Sequence, residues 1–116
     1  MPNGLAFRKE YTSRVDASGT YYDVRIGNIW LSLTEHDSPN NIEVLLAREG
    51  QPSIGNILGV RDELVRLATD NPHRTFLFGA ANSKLLGMLD RLGAIRPVDT
   101  RYGGMIALRI DRLMLR

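Results

Sequence analysis

The sequence predicts an α/β (α+β) fold in which a mixed, mainly antiparallel sheet packs against two helices. Three observations predict it. Apolar residues alternate with polar ones through much of the first half, which is typical of half-buried strands. In the second half, apolar residues recur every three or four positions in two stretches, which is the period of a helix. A short run of consecutive apolar residues separates those stretches, as expected of a strand buried on both faces.

The first half is predicted to be a β-meander. The dipeptide Gly27-Asn28 is a signal for a two-residue hairpin turn between strands. The polar stretch 35–41 contains Pro39 and is predicted to be a loop. Neighbouring strands are expected to be antiparallel, because their connections are too short for a parallel crossover. The predicted strands are 5–15, 21–26, 29–33 and 42–48.

The second half is predicted to alternate helices with strands. Its first helix has apolar residues at helical spacing from Ile57 to Leu67 and is stopped by Pro72. A buried strand follows over 75–78. Asn82 is suited to cap the second helix, and Gly93 is suited to end it. The chain then closes with a hairpin formed by 94–98 and 104–110.

Composition narrows the class of protein. The 116 residues fit one domain over 1–116. The absence of cysteine excludes a disulfide framework, a thiolate zinc site and a cysteine nucleophile. His36 and His73 do not stand in a metal-ligand spacing, so no metal site is expected. No segment has the pattern of a signal peptide or a membrane span, so a cytoplasmic location is expected, with no membrane partner.

The basic residues are almost all arginine, since Lys9 and Lys84 are the only lysines among 15 basic residues. The arginines are scattered, which argues against a nucleic-acid surface. Arginine prefers bidentate contacts to carboxylate and phosphate, so the composition suits a phosphate-rich ligand.

Two segments resemble the acetyl-CoA-binding half of GNAT-type N-acetyltransferases. The first, 53–58, stands where that family has a Gly-x-Gly loop followed by a helix. The second, 82–94, opens with Asn82 and reaches Gly93 after eleven positions, which matches the family spacing. The resemblance covers about 42–110. The second segment is also similar to acetyltransferase-like proteins of tailed phages.

The resemblance implies that the chain binds acetyl-CoA and folds as a compact GNAT-like domain. A loop with few side chains that leads into a helix N-terminus offers backbone N–H groups to phosphate oxygens. The resemblance places the pyrophosphate there and the pantetheine arm along strand 42–48. The residues it implies at the cofactor are Leu45, Leu46, Ser53, Ile54, Gly55, Asn56 and Asn82.

The same segments depart from the family pattern. Ser53 replaces the first glycine of the loop, and Pro52 removes one N–H donor. Leu89 stands where many members have a tyrosine that protonates the leaving thiolate. Glu43 is a candidate general base toward an amine, and Tyr102, in the turn of the last hairpin, is a candidate general acid. Both also fit the plainer interpretation of an ordinary strand or turn residue.

The leading hypothesis is therefore an acetyl-CoA-dependent N-acyltransferase that acts on an amine of a protein or small molecule. The alternative is a catalytically inactive GNAT-like phage protein that binds a host or virion protein. A small nucleic-acid-binding domain is a third hypothesis, motivated by the pI of 9.3. The apolar residues of 105–110 and beyond predict an edge that pairs two copies into a homodimer.

Overall fold

A computed structural model describes the chain at residues 4–36, 38–79, 87, 91, 95–102 and 105–110. These residues form one mixed sheet with a single long helix, α1 (Ile54–Asp70), packed against it. The strands are β1 (Thr12–Asp16), β2 (Gly19–Ile26), β3 (Ile29–His36), β4 (Ser38–Arg48), β5 (Thr75–Gly79), β6 (Ile95–Tyr102) and β7 (Met105–Ile110).

The seven strands are ordered β1-β2-β3-β4-β5-β7-β6. Only the β4–β5 pair is parallel, and α1 forms the crossover between those two strands. The other neighbours are antiparallel, so the predicted mainly antiparallel sheet is confirmed. The second predicted helix, which begins at Asn82, lies outside the described residues apart from positions 87 and 91.

The core lies between one face of the sheet and α1. Alternate residues of β2, β3 and β4 are buried there, as the sequence alternation predicts. The helix contributes a buried stripe at the predicted spacing: Ile57, Val60, Leu64 and Leu67, joined by Val65. Phe76 and Phe78 point into the same core, whereas Leu77 is 0% exposed on the other face. The strand β5 is therefore buried on both faces, as predicted.

The predicted strand over 5–15 is wrong in its first part, because β1 begins only at Thr12. The preceding residues, 4–11, are here called the N-terminal segment. Asn71 holds this segment through its side-chain amide, which accepts from Ala6 N at 2.8 Å and donates to Ala6 O at 3.1 Å. Arg8 donates to Asp70 at 2.7 Å. These bonds lead the segment along the C-terminal end of α1 instead of into the sheet.

The predicted loop over 35–41 is also wrong. The strand β3 continues to His36 and β4 begins at Ser38, with a register irregularity between Glu35 and His36. Pro39 is tolerated because the β4–β5 pairs begin only at Asn41. Near the start of a strand, the missing N–H of proline costs no hydrogen bond of the ladder.

The final hairpin is longer than predicted. Its first strand, β6, continues to Tyr102, with register irregularities between Pro97 and Asp99 and between Asp99 and Tyr102. Tyr102 therefore ends a strand and pairs with Met105, which corrects its predicted place in the turn. Irregularities of this kind let a strand run through a segment whose sequence has the residues of a turn.

Candidate cofactor site

Among the described residues, the pairing of β4 with β5 ends before β4 does. Their parallel pairs run from Asn41 with Thr75 to Val44 with Phe78. On its other edge, β4 stays paired with β3 as far as Arg48. The last part of β4, 45–48, thus extends beyond its described pairs with β5, and the chain then turns into α1. Within the part of the chain that the structure describes, this arrangement leaves an opening of the sheet beside the start of a helix.

The side chains of the two predicted cofactor residues on β4 point to opposite faces of the sheet. Leu46 is buried in the core beneath α1. Leu45 is 36% exposed on the opposite face, here called the outer face. The outer face carries the side chains that alternate with the core: Trp30, Ser32 and Thr34 on β3, and Glu43, Leu45 and Ala47 on β4. The two leucines therefore belong to different surfaces of the sheet, with Leu46 in the core and Leu45 on the outer face.

The loop after β4 is held by the side chain of Asn28 from the β2–β3 turn. Its amide nitrogen donates to Glu49 O at 2.9 Å and to Gln51 O at 3.2 Å. Its backbone carbonyl accepts from Glu49 N at 2.9 Å. The turn itself forms where the Gly27-Asn28 signal predicts it, with Gly27 at φ 61°. Asn28 therefore connects two parts of the chain that are distant in sequence.

Ser53 is the N-cap of α1. The sequence resemblance, which treats Ser53 as a replacement for the first glycine of a Gly-x-Gly loop, does not indicate this role. Its backbone is extended, with φ −76° and ψ 160°, and its Oγ accepts from Asn56 N at 3.1 Å. A side-chain oxygen in this position satisfies one of the free N–H groups at a helix start. The serine that replaces the first family glycine thus stabilises the helix start.

The first turn of α1 remains open to an anion at Ile54 and Gly55. Intrahelical bonding leaves the first N–H groups of any helix without partners. Ile54 is 72% exposed, and a Cβ on Gly55 would meet nothing closer than Ser53 Oγ at 3.8 Å. The first turn contains no acidic residue, so no local carboxylate offsets the positive end of the helix dipole.

Asn56 is directed toward the hairpin. Its side-chain nitrogen donates to Asn28 Oδ1 at 2.8 Å, while its backbone N–H is taken by the cap. The next residue, Ile57, donates its N–H to Ser53 O at 3.1 Å. Among the predicted cofactor residues, Ser53, Ile54 and Gly55 thus form the helix start. Asn56 links this start to the β2–β3 turn. Asn82 lies outside the described residues.

The carboxylate of Glu49, in the loop after β4, is directed to the outer face by the polar side chains around it. Glu49 accepts from Trp30 Nε1 at 3.0 Å and lies 3.9 Å from Arg25. The guanidinium of Arg25 lies 5.7 Å from the centre of the Trp30 ring. Arg48 stays exposed beside the loop, with Nη1 3.4 Å from Gln51 Oε1. These contacts pair the Glu49 carboxylate and leave the Arg48 cation near the loop.

The two predicted catalytic residues stand far apart on the sheet. Glu43 is half-buried on the outer face of β4, between Thr34 and Leu77 in register. Tyr102 ends β6, which is separated from β4 by β5 and β7. Three strand spacings of about 4.8 Å put roughly 14 Å between their backbones. The sheet does not bring them to one point.

A buried acid that sequence reasoning missed lies on α1. Glu63 is 1% exposed, and its Oε2 accepts from the Tyr11 hydroxyl at 2.5 Å. Among the described residues, its Oε1 has no hydrogen-bond partner. Burial, followed by the bond to Glu63, raises the pKa of the Tyr11 phenol well above its ordinary value. Position 63 lies three residues after Val60 on the apolar stripe, so the helical period could have indicated its burial.

The described residues contain no group of three or more metal-ligating side chains that could hold an ion. No helix within them is long and apolar enough to cross a membrane.

Comparison of the chain with protein-family models, with curated proteins and with solved structures found no match.

Proposed function

We propose that this chain is a compact GNAT-like acetyl-CoA-dependent N-acyltransferase that acts on an amine of a protein or small molecule. The observation that carries the proposal is the end of the described β4–β5 pairs at Val44 and Phe78, four residues before β4 ends and the chain turns toward α1. The strand–loop–helix–strand order, with its parallel strands, agrees with the order that the sequence resemblance implies.

The opening offers two kinds of contact that a CoA thioester needs. The pantetheine arm carries amide groups, which can pair with the backbone of Ala47 and Arg48 at the end of β4 as an added strand would. The pyrophosphate requires N–H donors and positive potential, which the first turn of α1 supplies at Ile54 and Gly55. Arg48, exposed at the end of β4, adds a cation within the same region.

The chemistry is attack of a neutral amine on the thioester carbonyl carbon. A C–N bond forms, the C–S bond breaks, the amine loses one proton and the CoA thiolate takes one up. Backbone N–H groups of β4 would stabilise the oxyanion that develops on the carbonyl oxygen. Glu43 would accept the proton of the amine, because it lies on the outer face of the same strand. Two strands separate Tyr102 from β4, so the proton of the thiolate would come from water.

Binding is tested by calorimetry with CoA and acetyl-CoA. The key variant is Gly55→Glu, which places a carboxylate in the first turn. A negative charge there interacts favourably with the positive end of the helix dipole, so the folded state is expected to be unchanged or stabilised by about 0.3–1 kcal/mol. The same charge repels phosphate, so binding of CoA is expected to be lost. Thr12→Glu is the matched control, because it adds the same charge on exposed β1. Wild-type protein that binds neither ligand at millimolar concentration would remove the proposal.

Turnover is tested by the release of free CoA thiol in the presence of candidate amines. The chain contains no cysteine, so a thiol reagent reports CoA without background from the protein. Glu43→Gln is expected to lower the rate at neutral pH by about 10²-fold or more while leaving CoA affinity unchanged. An unchanged rate would exclude Glu43 as the base.

A specific observation favours a second candidate function. Glu43 and Tyr102 are separated by two intervening strands, and the outer face exposes the apolar surface of Trp30 and Leu45. A GNAT-like phage protein that has lost catalysis and binds a host or virion protein fits this arrangement. CoA binding without thiol release for any amine class would favour this second function over catalysis.

A further inference from the structure

The side chain of Asn28 makes more contacts than its turn requires. A two-residue hairpin turn needs residues that accept a positive φ, and Gly27 and the adjacent pair Ile26–Ile29 close it. The amide of Asn28 instead bonds to Glu49 O, Gln51 O and the side chain of Asn56. None of these three contacts lies within the hairpin.

The orientation of this amide is determined by its partners. Its nitrogen faces two backbone carbonyl oxygens, which can only accept hydrogen bonds. Its oxygen faces the Asn56 side-chain nitrogen at 2.8 Å. The reversed amide would place Oδ1 against both carbonyl oxygens and lose these bonds. Asn28 is therefore a donor to the loop and an acceptor from the helix.

These bonds affect the groups that a bound anion would meet. In a planar trans peptide the N–H lies opposite the carbonyl, so the Gly50 N–H points away from Asn28. Donation to the carbonyls of Glu49 and Gln51 also takes up oxygens whose partial negative charge would repel a phosphate. The loop thus directs the Gly50 N–H away from Asn28 and has the carbonyl oxygens of Glu49 and Gln51 occupied.

The hairpin and α1 approach each other closely at the same place. A Cβ built on Gly27 would lie 2.1 Å from Asn56 Oδ1, which is far inside contact distance. Any side chain at Gly27 would therefore displace Asn56, and its φ of 61° would add strain. The contact between turn and helix depends on this glycine independently of Asn28.

We infer that Asn28 is a positioning residue that holds loop 49–53 in the conformation that receives the phosphates of CoA, with Asn56 as its link to α1. The inference rests on the proposed function. Asn28 acts through the loop and does not touch the cofactor. Its role is to set the loop conformation before the cofactor binds. The free energy of binding is then not reduced by the cost of ordering the loop.

The experiment compares Asn28→Ala and Asn56→Ala with the control Ser18→Ala, which removes side-chain bonds at the β1–β2 turn instead. Amide hydrogen exchange of 49–55 is measured without ligand, and affinities for CoA and pantetheine are measured by calorimetry. Asn28→Ala is expected to speed exchange in the loop and to weaken CoA binding about tenfold or more, with pantetheine binding unchanged. Asn56→Ala should show a smaller effect of the same kind.

The outcomes separate the two proposals. If hydrogen exchange in the loop is the same in Asn28→Ala and wild type, Asn28 does not hold loop 49–53, whatever ligand the wild type binds. Two results for Asn28→Ala overturn the positioning role. One is faster hydrogen exchange in the loop with an unchanged affinity for CoA, and the other is an equal loss of affinity for CoA and pantetheine. Wild-type protein that binds no CoA overturns the proposed function and, with it, the role of the loop at phosphates. If Asn28→Ala does not fold, Asn56→Ala decides by the same comparisons.

Discussion

The buried pair of Tyr11 and Glu63 makes a sharp prediction about stability, in which removing both partners costs less than removing one. Tyr11→Phe keeps the ring stacked on Phe7 at 4.2 Å but leaves a 1%-exposed carboxylate without its one hydrogen bond. Arg66 at 3.9 Å is one-third exposed and compensates little. A lost bond to a charged group costs about 1.5–3 kcal/mol, so we expect roughly 2.5 kcal/mol of destabilisation.

The companion variants complete a double-mutant cycle. Glu63→Leu alone leaves the phenol hydroxyl without an acceptor and is expected to cost about 1–2 kcal/mol. The double variant replaces both polar groups by apolar ones beside Val60 and Leu64, so it is expected within about 1 kcal/mol of wild type. The coupling energy is then about 3 kcal/mol, which is near the upper end for contacting residues.

Urea unfolding at pH 7, followed by circular dichroism, measures these differences. With a slope of about 1–3 kcal/mol per molar, Tyr11→Phe should lower the midpoint by about 1–2 M while the double variant stays near wild type. A double variant as unstable as the sum of the two single variants would refute the argument. It would mean that each residue stabilises the fold through contacts other than their shared bond.

Two further predictions concern the same region. Because the pKa of Tyr11 is raised, the folded protein keeps a phenol proton that the unfolded chain loses above pH 10. The contribution of Tyr11 to the free energy of unfolding is therefore complete below pH 10 and declines as the pH rises further. The loss is up to about 1.4 kcal/mol per pH unit, and Tyr11→Phe should lack this part of the slope in urea unfolding from about pH 9 to 11. Asn71→Ala removes three side-chain bonds of a 5%-exposed residue and should cost about 2–4 kcal/mol. It should also speed trypsin cleavage at Arg8 and Lys9, and equal cleavage of wild type and variant would contradict the anchoring role.

Much of the fold was predictable because it depends on one-sided burial. The alternation in β2 to β4 and the stripe on α1 both follow from packing against a single core, and periodicity reports that directly. The turn at Gly27 was predictable because it requires a positive φ within two residues. These signals are local, so one sequence is enough to show them.

The failures share one physical origin, which is pairing with distant parts of the chain. Residues 38–41 look like a loop, but β3 and β5 provide partners for the strand that contains them. The N-terminal segment looks like a strand, but Asn71 draws it to the end of α1. At the candidate site the reason is local instead, because Ser53 looks like a replaced glycine in the sequence and is the N-cap of α1 in the structure.

The helix α1 is held at its two ends by asparagine side chains, and this determines where its first turn lies. Apolar burial along the middle of the helix is non-directional, so it would tolerate some sliding of the helix along the sheet. Hydrogen bonds tolerate far less, because they weaken steeply with distance and angle. Asn28 bonds to Asn56 at the first turn, and Asn71 bonds to Ala6 just past the last. The core thus supplies most of the attachment of the helix, the Asn28–Asn56 bond ties its first turn to the β2–β3 turn, and Asn71 ties the N-terminal segment to its other end.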